Sequence, residues 1–220
     1  MYFRRVPAQS APVEGLLVRA EWRAAPGDDP SGLDFAEGAL MGQSAGTLAM
    51  ATPYSGTLTI PRSHLRRLVV LGRGHRLVID ATAHHLGDEI SVTPPVLDPP
   101  QPEGLTLERT ITLERLPDRP AELVLDVVEV VGESGDSRYA QQVRNGELRT
   151  YVEINGRRID YLNRYIKTRN QTPERIRIPI PRDLLRQGRN TLRIEVTGTD
   201  SEPKLFDDLG ILQIALELPH

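Results

Sequence analysis

The chain has 220 residues, 39% hydrophobic and 26% charged, an ordinary soluble globular composition with enough length to bury a sizeable core. No apolar run is long enough for a membrane span, and no apolar h-region follows Arg4 and Arg5 to make a secretory signal. The net charge of −3 argues against a nucleic-acid binder, and the lack of cysteine excludes disulfides, thiolate nucleophiles and cysteine-based metal sites.

Eighteen glycines and eighteen prolines cut the sequence into short pieces that alternate apolar and polar residues. A period of two fits a strand with one buried face, and no long stretch has the helical period. The expected class is all-β. Runs at 14–22, 38–50, 55–60 and 67–71, separated by glycine-containing turns, predict a small β-rich module over residues 1–74. Residues 75–220 form the second expected unit. Residues 93–104 carry five prolines and cannot supply a full row of ladder hydrogen bonds. They read as a stiff loop within one domain or as an interdomain linker.

Beyond them, residues 106–114 place Leu107, Ile111 and Leu113 on one face and Thr106, Thr110 and Thr112 on the other. Asn155-Gly156, between the alternating runs of 151–154 and 157–159, predicts a two-residue hairpin turn with positive φ at both positions. Asn145-Gly146 is a second hairpin candidate. Pro181 to Gly188 reads as a single helical turn, with the proline near its start and the glycine past its end. Alternation returns in Leu192, Ile194 and Val196, and again in Leu212, Ile214, Leu216 and Leu218.

From His84 onward these pieces come in a familiar order. His85-Leu86-Gly87-Asp88 opens the series, then come Leu113-Glu114-Arg115-Leu116-Pro117 and Ala121-Glu122-Leu123-Val124-Leu125. Tyr151-Val152-Glu153-Ile154-Asn155-Gly156 follows, then Ile178-Pro179-Ile180-Pro181, Leu184-Leu185 and Gly188-Arg189-Asn190-Thr191-Leu192. Phe206-Asp207-Asp208-Leu209-Gly210-Ile211 closes it. The set resembles the galactose-binding-like jelly roll, the β-sandwich of sugar-binding domains in family 2 glycoside hydrolases and of many carbohydrate-binding modules. The first eighty residues lie outside this resemblance. There, Gly56-Thr57-Leu58-Thr59-Ile60-Pro61 leading to Leu68-Val69-Val70 resembles a small SH3-like or Sm-like barrel.

The resemblance implies two sites. Jelly rolls of this type often carry structural calcium near the closing strand, so Asp207 and Asp208 are candidate ligands, Asp208 foremost, for an ion that prefers hard oxygen donors. The alternative is that both aspartates accept backbone N–H bonds in the turn before the last strand. Loops at one end of the sandwich are a usual ligand site, and Tyr161, Asn163, Arg164 and Tyr165 group rings, an amide and a guanidinium there. Sugars are gripped by C–H faces on rings and by amides and arginine on hydroxyls. The alternative is half-buried edge tyrosines and a solvated arginine, and the sole tryptophan, Trp22, lies outside the jelly roll.

Other constellations fall short. His84 and His85 stand near Asp80, Asp88 and Glu89, but neighbours on a strand point to opposite faces, so they do not converge on one metal. One of the two is expected inside and the other exposed. Ser63-His64 lacks a nucleophile elbow, and Gly72-Arg73-Gly74 lacks the rest of a phosphate loop. Arg62, Arg66, Arg67 and Arg73 read as a solvated strand end.

The expected function is a non-catalytic carbohydrate-binding or accessory module, at most an accessory domain of an enzyme, working outside the cell or at its surface. The competing expectation is a structural or protein-interaction subunit that self-assembles or docks into a larger complex. Neither calls for nucleic acid or a membrane span.

Overall fold

The computed structural model describes residues 13–23, 34–52, 56–92, 96–134, 138–168 and 172–219. In chain order, β1 (Val13–Trp22), β2 (Asp34–Gln43), β3 (Thr47–Thr52) and β4 (Gly56–Pro61) precede a long β5 (Leu65–Asp80) and a short β6 (His84–Leu86). Next come β7 (Thr106–Leu113), β8 (Ala121–Val128), the helix α1 (Arg138–Asn145), β9 (Thr150–Ile154) and β10 (Arg157–Tyr161). A 3-10 turn at Leu162–Tyr165 leads to β11 (Glu174–Ile180), and a second at Arg182–Leu184 leads to β12 (Gly188–Val196) and β13 (Leu209–Pro219).

The strands form two antiparallel sheets. One is four-stranded in the order β10-β9-β12-β7, and the other is nine-stranded in the order β11-β8-β13-β5-β1-β2-β3-β4, with β6 on β13. The alternation read from the sequence puts Leu107, Ile111, Val152, Ile154, Leu192 and Ile194 of the small sheet inward. They meet Leu123, Leu125, Ile176, Ile178, Ile211 and Leu216 of the large one in a single core. The chain is an all-β sandwich. Burying each such side chain contributes roughly 1.5–3 kcal/mol, which is why the two faces stay together.

The N-terminal strands do not stand apart. The expected boundary between residues 74 and 75 lies inside β5, which pairs with β1 over Leu65–Arg76 and with β13 over Gly74–Asp80. Among the described residues β4 pairs with β3 alone, so these strands extend the large sheet and do not close into a barrel. The run expected at 38–50 is two strands. Ser44 breaks it, its hydroxyl accepting the N–H groups of Gly46 and Thr47.

The large sheet curls strongly. Glu37 of β2 ion-pairs with Arg175 of β11, although four strands lie between them. Glu37 also pairs with Arg76 at 2.8 Å, and Arg76 with Glu217 at 2.6 Å. Arg175 holds Asp126 through two bonds of 2.6 Å. A charged network therefore fills the concave outer face of the sheet, away from the sandwich core.

The turns follow the residues that demanded them. Asn155 and Gly156 have φ of +52° and +79°, the primed hairpin turn expected of Asn-Gly. A Cβ at Gly156 would meet nothing within 4 Å, so only its backbone geometry resists a side chain. Gly156→Val should lower folding stability by about 1 kcal/mol or more, read from urea unfolding. Asn145-Gly146 is not a hairpin. It ends α1, with Gly146 at φ +100° and its N–H donating to the Val143 carbonyl. Residues 96–104 form a loop bound to the sandwich: Ser91 donates its N–H to Pro100, Glu103 to His85 and Gly87 to Gly104, and Leu97 is buried.

Candidate functional site

Tyr161 ends β10, and the 3-10 turn that follows carries Asn163, Arg164 and Tyr165. The structure separates these four residues into a surface and an interior group. Asn163 is 0% exposed. Its amide donates to the Val131 carbonyl at 2.9 Å and to Asp207 at 3.2 Å, and its oxygen accepts the Thr150 N–H at 2.8 Å. It cannot also meet a sugar hydroxyl. This corrects the ligand role expected of it: a buried amide must satisfy its own donors and acceptor, and the surrounding loops supply the partners.

The other three reach the surface beside a residue that the sequence had not singled out. A register shift between Arg158 and Asp160 sets Tyr161 opposite Tyr151 of β9. Their rings meet edge to face, 6.2 Å between centroids and 70° between planes. Arg158 lies over Tyr151 at 3.7 Å and Arg149 over Tyr161 at 4.3 Å, which completes a ladder of two rings between two guanidinium groups. The Tyr161 hydroxyl donates to Glu133 at 2.7 Å and the Tyr165 hydroxyl to Asp160 at 2.8 Å, while Arg164 pairs with Asp160 at 3.3 Å. Burial, and then the bond to Asp160, pushes the Tyr165 phenol up to about 12, while burial, and then the bond to Glu133, raises Tyr161. Both phenols stay protonated at neutral pH. The patch is therefore a fixed array of rings, donors and acceptors that can meet a polyol.

Asp207 and Asp208 are spent on the turn before β13. Asp207, buried, accepts the Val131 N–H at 3.1 Å and the Asn163 amide, while Asp208 Oδ1 accepts the N–H groups of Asp88 and Glu89 at 2.9 and 3.0 Å. Gly87 packs so close that a Cβ there would lie 1.9 Å from Asp208. Among the described residues no three His, Asp or Glu side chains are grouped to hold a metal ion. One oxygen of each carboxylate, Asp207 Oδ2 and Asp208 Oδ1, accepts N–H bonds, as turn capping requires.

Both histidines lie inside, which corrects the expectation that one is exposed. β6 is sandwiched between β13 and the 101–104 segment, which covers it from either side. His85 is 0% exposed, with Nε2 3.7 Å from Asp208. His84 bridges Asp80 at 3.0 Å and Glu103 at 2.8 Å, and Arg109 also pairs with Asp80. The bond to Asp80 raises the His84 pKa against the opposing effect of burial, with Glu103 adding to the rise. Its charged form is favoured by folding, so this stability is full below its ordinary value of 6.5 and is lost as pH rises through the folded value. Burial pushes Asp207 up to about 7, so folding favours its neutral form and stability also falls as pH climbs from 3.8 towards 7. The melting temperature should therefore fall as pH rises above 5, less steeply in His84→Gln and in Asp207→Asn.

Of the remaining motifs, Ser63-His64 sits in the turn between β4 and β5, and Arg62, Arg66 and Arg67 are exposed. Arg62 bonds Gln43 at 2.7 Å. The side chain of Arg73 lies outside the described residues. No helix among the described residues is long and apolar enough to cross a membrane.

No protein-family model and no curated protein matches the chain. Among solved structures it is similar to a β-porphyranase of glycoside hydrolase family 86 from the human gut bacterium Bacteroides plebeius. That likeness has 14% identity and a TM-score of 0.34, over 96% of this chain and 30% of that one. It is also similar to BuGH86wt in complex with neoagarooctaose, at 11% identity and a TM-score of 0.38, over the same shares. The chain spans about 30% of the length of these solved glycoside hydrolase chains.

Proposed function

We propose that the chain is a non-catalytic, carbohydrate-binding β-sandwich that serves as an accessory module. The observation that carries this reading is the patch on β9 and β10. Three tyrosines stand beside Arg149, Arg158 and Arg164, with Glu133 and Asp160 fixed as acceptors. Ring edges offer apolar contact to sugar C–H groups, and the paired guanidinium and carboxylate groups offer hydroxyls both donors and acceptors. Because those groups already hold one another, little side-chain entropy is lost when a ligand arrives.

A glycan array probed with the purified chain, beside a mass measurement in solution, tests the reading. Binding to at least one glycan is expected, weakened by Tyr165→Ala and by Arg164→Ala without loss of the fold. Each lost hydrogen bond corresponds to about 0.5–3 kcal/mol, the upper end applying to the charged donor. An array without signal, together with variants that shift the mass toward smaller species, would reject sugar binding in favour of an assembly surface.

A further inference from the structure

A second surface has the same chemistry on the opposite sheet. Phe35 is the second residue of β2 and is 43% exposed, although it stands at the rim of the charged face. Arg19 lies over its ring at 4.1 Å, and Arg175 reaches to 6.0 Å from β11. Glu21 is directly opposite Phe35 across the β1–β2 ladder and pairs with Arg19 at 3.0 Å. Asp126 holds Arg175, and Arg177 extends the row toward Glu122 at 2.9 Å. Beneath this rim Glu37 and Arg76 are 3% and 2% exposed, so the network below is closed and the groups above it are held in place.

We propose that this rim is a second saccharide subsite, taking one neutral pyranose of a glycan with its C–H face on Phe35. The chemistry selects a neutral sugar. Each guanidinium at the rim faces a carboxylate, so an anion would have to displace an internal partner to gain one. Alternating fixed donors and acceptors instead match vicinal hydroxyls, each of which donates once and accepts twice. Arg19 covers one face of the Phe35 ring, yet the ring stays 43% exposed, and stacking a sugar face on the uncovered part removes that apolar surface from water. The proposal rests on the carbohydrate-binding reading but uses residues remote in sequence from the β9–β10 patch.

The test is calorimetric titration of the full chain with a panel of short neutral oligosaccharides, too short to reach both patches at once. Two sugars should bind per chain. Phe35→Ala should remove one of them, or weaken it about three- to tenfold, with an unchanged melting temperature, and Phe35→Tyr should restore it. Tyr165→Ala should affect only the other. A single binding event lost in Tyr165→Ala and untouched in Phe35→Ala would overturn the second subsite while leaving the function standing. A site at Phe35 that requires a sulfated or carboxylated sugar would overturn the neutral assignment. If no oligosaccharide binds the unmodified chain, the function fails and the subsite with it.

Discussion

Glu37→Leu should cost about 3 kcal/mol of folding stability, measured by urea unfolding followed through tryptophan fluorescence and circular dichroism. Glu37 is 3% exposed and pairs with Arg19, Arg76 and Arg175, which come from three other strands. Removing its charge leaves those guanidinium groups poorly compensated. Arg76 keeps Glu217 and Arg175 keeps Asp126, so the loss should fall at the low end of the range for a broken buried pair. Because β5 belongs to both halves of the large sheet, the unmodified chain should unfold in one transition. Trp22, on β1, should report the same midpoint as the sandwich. In the variant the fluorescence midpoint should move first, because Glu37 ties the N-terminal strands across the curl. Unchanged stability would show that the network is not a clamp.

Asn163→Ala should cost about 2–4 kcal/mol, the second large effect. The change strands the Thr150 N–H and the Val131 carbonyl and takes a donor from buried Asp207. Tyr165→Ala should cost less, because its ring is only partly buried against the core and its hydroxyl is one member of a half-buried surface pair. If both cost the same small amount, Asn163 is not an interior bracket between Val131, Thr150 and Asp207.

The difference between these two residues shows what the sequence could and could not convey. Alternation gave the sandwich faces except at the start of β13, where a register shift between Ile211 and Gln213 puts Ile211 in the core in place of Leu212. Asn155-Gly156 located the hairpin, because few residues accept positive φ twice in succession. Counting outward from that turn, however, pairs Tyr151 with Asp160. The register shift after Arg158 moves Tyr161 into that place, and nothing in the residue types announces it. Asn163 looked like a ligand group because an amide serves a sugar and a buried loop equally well. Only the positions of Val131, Thr150 and Asp207 decide between them. Asp207 and Asp208 followed the same pattern, with turn capping as the structural outcome.

The charged face was illegible for another reason. Glu37 and Arg175 meet only because the sheet curls, and curl depends on accumulated twist and on register shifts such as those in the β1–β5 pairing. Phe35 read as one more apolar residue in an alternating run, and its exposure is a tertiary property. Trp22, the sole tryptophan, sits half-buried against the cluster of Val18, Ala20, Leu48, Met50 and Ile60.

Amide chemical-shift mapping during titration with a glycan identified on the array tests the central claim most directly. Saturable shifts are expected around Tyr151, Tyr161, Arg164 and Tyr165. Shifts confined to other surfaces, or no saturable shift with any glycan up to millimolar concentration, would contradict carbohydrate binding at this patch.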